Sequence, residues 1–362
     1  MKRVLTILSL FLILTIAPSG LKASGGETSG EVDAKEIIFD HLGDHYGWEV
    51  PFSHNYRIPL PIIVRDYQGD WHVFSSSRLM HNQEYDGFKI ATEGDNAKKV
   101  VGVKPDANGQ MQEYRPINIS ITKNVLALII SAIVVLLCTF SVSRWYKKYQ
   151  MKAPRKATAA MEFVVEFIYY GVIRPTLGAK AHKFAPYLLT VFFFILAMNL
   201  LGLIVVFPGG ANLTGNIAIT MVLAVCTFVI TNVKGTKHYW KEIFWPDVPL
   251  WLKFPIPIMP VIEIFGMFTK PAALMVRLFA NMMGGHMIVI TLTLLIFIFA
   301  SFGAVATGVS TVLSVAFSLF MLAIDILVSF IQAYVFTMLS TLFIALAQEE
   351  GAEHKEKQIE TK

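Results

Sequence analysis

Charge and cysteine are both scarce in this chain of 362 residues. Only 16% of the side chains are Asp, Glu, Lys or Arg, against 54% hydrophobic, which excludes an ordinary water-soluble protein. The two cysteines, Cys138 and Cys226, both fall inside apolar runs, so neither a disulfide framework nor a thiolate metal site is encoded. No G-x-x-x-x-G-K-[ST] stretch occurs, so there is no phosphate-binding loop for nucleotide chemistry. H-E-x-x-H is missing too, and no nucleophile stands with a base, which argues against an intramembrane hydrolase. Internal repeats with paired broken helices, the mark of many secondary transporters, are also lacking. The net charge of +5 is small and uneven, and bears on membrane topology rather than on nucleic acid.

What the chain has in quantity is apolar sequence. Runs near 125–143, 184–207, 217–233, 272–300 and 306–347 reach or exceed the ~20 residues that cross a bilayer as a helix. A closed barrel is disfavoured, since its strands would be ~10 residues long and alternate in polarity. The expected fold is therefore an all-α polytopic membrane protein with five crossings. At the amino end, "MKRVLTILSLFLILTIAPSG" has a short basic start, an apolar core and small residues after it. It reads as a signal peptide, cleaved at Ala17-Pro18-Ser19 or near Ala23, so that residues 1–23 are removed.

Residues 24–120 differ from everything after them. They hold five of the nine histidines and short β-like runs, "YRIPLPIIVRDY" and "KKVVGV", between turn residues. A small domain outside the cytoplasmic membrane is expected here. "DHLGDH" spaces His41 and His45 four apart, as on one helix face, yet no further ligand stands near at metal spacing. They read as solvated histidines, and no metal or cofactor is expected.

Lysines and arginines set the topology. Arg144, Lys147, Lys148, Lys152, Arg155, Lys156, Arg174, Lys180 and Lys183 follow the first crossing, and Lys234, Lys237, Lys241 and Lys253 fill a later link. Links near 208–213 and 300–307 carry none. By the positive-inside rule the basic links are cytoplasmic, the domain is outside and the tail, 348–362, is inside. "ATAAMEFVVEFIYYGVI", with Glu162 and Glu166 on its polar edge, reads as an amphipathic helix on the cytoplasmic membrane surface.

The last two apolar segments are too long for simple crossings. About 40 residues each would span ~60 Å, twice the hydrocarbon thickness, so both helices must tilt, bend or project. Pro255, Pro257 and Pro260 mark an irregular start, and Pro271 and Gly284-Gly285 are plausible bends. Between Leu278 and Ala347 only His286 and Asp325 carry or gain charge near neutral pH. An arginine at this depth, Arg277, persists only where it is paired or functional. Counting outward from a turn near residue 304 puts Arg277 level with Gln332, and His286 level with Asp325, closer to the outer surface. Arg277 shares a helix face with Asn281, with His286 nearly opposite, while Asp325, Ser329 and Gln332 share a face of the last helix. Glu263 lies four turns before Arg277. Alone, His286 would read as a core histidine; a facing acid turns the reading towards a proton relay. Lys270 reads equally as a snorkelling interfacial lysine or a channel lysine.

The stretch "KPAALMVRLFANMMGGH", with "IDILVSFIQAYVFTMLSTLFIALAQEE", "APYLLTVFFFILAMNLLGL" and "LTGNIAIT", resembles subunit a of the F-type ATP synthase over roughly residues 120–350. The resemblance implies that Arg277 is the essential arginine facing the rotor, with Asn281 one turn on and Gln332 across from it. His286 and Asp325 match two outer half-channel positions, with the acid and the histidine exchanged relative to many bacterial members. Glu263 and Lys270 match polar positions of the cytoplasmic side, and Asn216 one in the third crossing. Gly202 and Gly266 depart from relatives that carry an acid and a serine there. The implied partners are a ring of c subunits, the b subunits of the peripheral stalk and the rest of the complex, in a bacterial inner membrane. Coupling to protons is expected; a sodium-coupled form, or a transporter using Arg277 as an anion site, are the alternatives.

Overall fold

A computed structural model describes residues 43–49, 57–92, 96–105, 111–149, 157–204, 210–244, 258–300 and 304–349. The expected signal peptide, His41, the 301–303 turn and the end of the tail lie outside these residues.

The β-like runs of the amino-terminal region do form strands. They are β1 (Gly47–Glu49), β2 (Arg57–Pro59), β3 (Pro61–Arg65), β4 (Trp71–Ser75), β5 (Phe88–Ile90), β6 (Val100–Pro105), β7 (Met111–Tyr114) and β8 (Ile117–Asn118). They pair antiparallel as β1-β2, β4-β3-β8 and β5-β6-β7. Alternation sends Ile62, Val64 and Phe74 inward, where they pack with Leu79, Phe88 and Val100. The β3–β4 turn is held by one carboxylate: Asp66 Oδ1 accepts from the amides of Gln68, Gly69 and Asp70 at 2.7–2.9 Å. Gly69 supplies the positive φ of 102° that the turn requires. His45 is not on a helix, contrary to the helix-face reading of "DHLGDH". It lies just before β1, and its carbonyl accepts the Lys123 amide at 2.9 Å. Among the described residues no group of three His, Cys, Asp or Glu side chains is placed to hold a metal.

Among the described residues seven α-helices of eight residues or more follow, besides a single turn at Arg174–Leu177: α1 (Lys123–Lys148), α2 (Ala157–Ile168), α3 (Ala181–Leu203), α4 (Ile217–Val233), α5 (Lys237–Phe244), α6 (Ile258–Ala300) and α7 (Ala304–Ala347). Thr122 caps α1 by accepting the Val125 amide. Residues 169–173 form a π-helical turn beyond α2, so the stretch from 157 to 203 is helical almost throughout. Among the described residues four helical stretches are long and apolar enough to cross a membrane, and a fifth if α4 and α5, bent by 102°, are one broken span. The chain is a multi-pass membrane protein of mostly helical fold, with a β-rich region before the first crossing.

α6 has 43 residues and α7 has 44, about 65 Å each at 1.5 Å per residue. Pro271 is carried inside α6. α7 packs against α6 and α3 together, which is why Phe192, Ile195, Met198, Ala333 and Phe336 are all fully buried. The far end of α7 is tied to two basic links. Lys180 Nζ donates to the Gln348 carbonyl at 2.9 Å, and the Thr236 amide to the Ala347 carbonyl at 2.9 Å. A cation at a helix carboxyl end also suits the dipole. Both basic links and the end of α7 therefore lie on one side.

Candidate functional site

The register of the α6–α7 hairpin decides which polar side chains can meet. Two contacts fix it. Asn281 Nδ2 donates to Gln332 Oε1 at 2.7 Å. Two turns further along, the carboxylate of Asp325 lies so close to Gly285 that a Cβ there would sit 2.7 Å from Oδ1. His286 is the next residue after Gly285, so the His286–Asp325 level expected from counting is present. Gln332 is bonded by Asn281, one turn beyond Arg277, and no bond joins it to Arg277. Gly285 serves a close approach rather than a bend, because only a residue without a side chain leaves room for the Asp325 carboxylate.

Arg277 stands on a different face. Leu274, Leu278 and Met282, spaced by four, are buried against the rest of the bundle, while Arg277 and Asn281 are exposed. Among the described residues Arg277 makes no ion pair and no hydrogen bond. Asp325 is buried at 8% exposure and forms no ion pair with it. Gly266, Ala273, Ala280 and Gly284 share the arginine's helix face, and a Cβ at Gly266 or Gly284 would meet nothing within 4 Å. Small residues flank a lone guanidinium.

Behind this face lies a buried polar network that reading the sequence did not single out. Asn199, fully buried in α3, accepts from Thr214 Oγ1 at 2.8 Å and donates to the Ser329 carbonyl at 3.4 Å. Ser329 Oγ donates to the Asp325 carbonyl at 2.7 Å. Asn199 and Thr214 thus reach the same turn of α7 that carries Asp325. The signal was an asparagine inside "FFFILAMNLLGL", costly in hydrocarbon unless satisfied. Asn216 caps α4 by accepting the Ala218 amide at 3.0 Å, a structural task. Gly202 lies near the Ala211 carbonyl and Met282.

Towards the other membrane side, Glu263 is half-buried in the first turns of α6, which packs on α4 and α5. The Phe228 and Phe268 rings stack with centroids 5.3 Å apart at that contact. Lys270 is exposed, with Nζ 6.0 Å from the Phe343 ring of α7. The structure does not bring Glu263 and Lys270 into the Asp325 network. Arg277 lies between the two polar regions.

Comparison with known proteins bears on which family carries this hairpin. Residues 125–345 match the model of the ATP synthase A chain family. The chain belongs to that family. ATP synthase subunit a of Chlorobium phaeobacteroides is 43% identical over 247 residues, covering 66% of this chain and 68% of the relative. The subunit of Pelodictyon phaeoclathratiforme is 44% identical over 248 residues, covering 66% and 69%. That of Myxococcus xanthus is 39% identical, covering 66% and 76%. The family match spans the helices α1–α7 almost completely. Residues 37–122, which contain all eight strands, match a separate domain of unknown function.

Proposed function

We propose that this chain is the membrane stator subunit of a rotary F-type ATP synthase. It provides two offset proton half-channels and the arginine that drives deprotonation of a rotor carboxyl. One observation carries the reading: Arg277, in the middle of a membrane helix, is exposed and has no partner among the described residues. A guanidinium in hydrocarbon needs compensation at its own level. The compensating group then belongs to another protein, and the small residues around Arg277 let a second helix approach closely.

The partner is a ring of c subunits, each bearing one membrane carboxyl. Facing lipid, that carboxyl stays protonated because burial disfavours its charged form. Brought against Arg277, it loses the proton to the half-channel it faces. Arg277 cannot release its own proton, so protons cannot hop across it from one half-channel to the other. They must ride round the ring. His286 and Asp325, supported by Ser329, handle protons in the outer half-channel, with Asn216 near its wall. Glu263 and Lys270 line the inner one. Asn281 and Gln332 position the arginine face through the hydrogen bond between their amides.

By the basic-link asymmetry the amino terminus is outside, the carboxyl terminus is cytoplasmic, and the membrane is the bacterial inner one. The b subunits of the peripheral stalk hold the chain against rotation. The proposed division is a signal peptide at 1–23, an extracytoplasmic domain at 24–120, the channel at 121–347 and a tail at 348–362.

A disulfide test addresses the rotor face. With Cys138 and Cys226 replaced by serine, Ala280→Cys should cross-link to a cysteine placed beside the ring carboxyl in the assembled complex. A chain that purifies alone, active in solute uptake and never cross-linked, would instead be a transporter.

A further inference from the structure

The amino-terminal sheet β4-β3-β8 has one well-made core face and one face that no described part of the chain covers. Strand pairing defines the second face residue by residue. Trp71, Arg65 and Ile117 stand side by side across the three strands, and Val73 and Ile63 form the next row. Ile119, whose amide donates to the Ile63 carbonyl at 3.0 Å, completes that row. Side chains opposite one another point to the same side of a sheet. On the other side Ile62 and Val64 are fully buried. Here Val73 is 68% exposed, Ile119 60%, Ile117 59% and Trp71 52%. Tyr67, at the β3–β4 turn, is 56% exposed. A cluster of this kind on a small water-facing domain marks a contact surface.

Continuity with the membrane helix points to the occupant. β8 runs directly into α1, which starts at Lys123, four residues after Ile119. At roughly 3.3 Å per residue, an extended chain lifts Ile119 no more than about 13 Å from the helix start. The domain is also fixed there rather than tethered. The Asn124 amide donates to Asp44 Oδ1 at 3.1 Å, and the Lys123 amide donates to the His45 carbonyl at 2.9 Å. Below the join, Val125, Ile129 and Ile133 of α1 are exposed in the same way. Apolar side chains are thus exposed both on the first turns of the crossing helix and on the nearby sheet. Its composition is that of a membrane interface: a tryptophan and a tyrosine, with the Arg65 guanidinium 5.8 Å from the Trp71 ring centre. An arginine there keeps its head among phosphates while its stem covers apolar surface.

We infer that the outward face of the β4-β3-β8 sheet, carrying Trp71, Val73, Ile117 and Ile119, lies on the lipid surface at the side of the membrane where α1 begins. The domain is then a membrane-resting collar that holds the start of α1. This requires only that α1 crosses the membrane, and it stands whether or not the rotor reading does.

The test uses the whole complex reconstituted in phosphatidylcholine vesicles, with Cys138→Ser and Cys226→Ser as background. Single cysteines at Val73, Ile119 and, as a control on the other outer sheet, Gln112 carry an environment-sensitive fluorophore. Val73, Ile119 and Gln112 are exposed, so these substitutions spare the core. Lipid with a nitroxide on the headgroup should quench the labels at 73 and 119 at least threefold more than the label at 112. Equal quenching at all three sites would overturn the inference. So would labels at 73 and 119 that are shielded from water yet untouched by headgroup or acyl-chain nitroxides, since a protein would then cover the face.

Discussion

The β-rich region and the α6–α7 hairpin treat buried polar groups in opposite ways. In the β region they are spent on the chain itself. Ser76 Oγ accepts the Leu60 amide at 3.0 Å, Ser120 Oγ accepts that of Ile63 at 2.9 Å, and Asp66 gathers three turn amides. His72 Nε2 forms no hydrogen bond, but it lies 3.5 Å from Asp66 Oδ2, and Nδ1 meets Asp86 in a very short contact. Along α7, by contrast, Ser310, Ser314, the Gln332 amide nitrogen, Thr337 and Ser340 are buried without partners among the described residues. An unpaired polar atom in low dielectric is costly. The hairpin that carries Arg277 and Asp325 thus leaves more of its buried polar atoms without a partner among the described residues than the β region does.

If the hairpin's polar groups serve transport, changes there should affect activity before stability, and changes in the β region the reverse. The largest effect short of Arg277 itself is expected at Gly285. Gly285→Ala places a Cβ 2.7 Å from Asp325 Oδ1 and must displace the carboxylate. Proton transport should fall by about tenfold or more, as misplacement by an ångström does elsewhere, while assembly persists. Passive proton flux in vesicles stripped of the catalytic head measures this, and normal flux would remove Asp325 from the path. Next, the exchange of His286→Asp with Asp325→His should retain more flux than either single change. A double variant as inactive as the worse single one would show that the two do not act as an interchangeable pair.

A matched pair of serines sharpens the contrast in stability. Ser76→Ala strands the buried Leu60 amide and should cost the assembled protein about 1–3 kcal/mol. Ser340→Ala removes a hydroxyl without a partner and should be neutral or slightly stabilising, within about 0.5 kcal/mol. Denaturant unfolding of the purified protein compares them, and similar losses at both sites would erase the contrast.

The smallest effect is one of pH. Burial opposes the charge on His72, but hydrogen bonds and the charges of Asp86 and Asp66 outweigh it and raise the histidine's pKa above 6.5. The stabilisation is complete below about 6.5 and is lost as pH rises through the higher folded value. Asp66 runs the other way. Burial would raise it, yet the amides of Asp70, Gly69 and Gln68 and the His72 ring pull it below 3.8, so its contribution is lost as pH falls through that lowered value. The β region should therefore be most stable between about pH 4 and 6.5, and His72→Gln should flatten the alkaline side and, by removing the ring's share of the pull on Asp66, soften the acid side. Amide exchange protection at Ile62 and Val64 against pH reads this directly.

Much of the hairpin was legible because a helix converts spacing into position. Seven residues from Asp325 to Gln332 fix a shared face, and a turn near 304 fixes levels to within a turn. That precision was enough to put His286 and Asp325 at one level, but not to tell whether Arg277 or Asn281 meets Gln332. Asn199 and Thr214 stayed hidden because each sits alone in an apolar or loop context, and only tertiary packing brings them to Ser329. The strands of the β region were visible as alternating runs. Which strands pair was not, because pairing depends on register between distant segments. Hence the exposed rows of Trp71 and Val73 could not be seen until Ile117 and Ile119 were placed beside them.

The central claim rests on Arg277, and one comparison tests it most directly: ATP synthesis in inverted vesicles bearing the Arg277→Ala complex, with assembly checked and passive proton flux measured alongside. The account predicts no coupled synthesis, with passive flux retained or raised, because a ring carboxyl can pass the stator still protonated. Arg277→Lys should fail substantially as well, since an ammonium lacks the planar fork and can lose its proton when desolvated. Normal ATP synthesis by a correctly assembled Arg277→Ala complex would contradict the assignment.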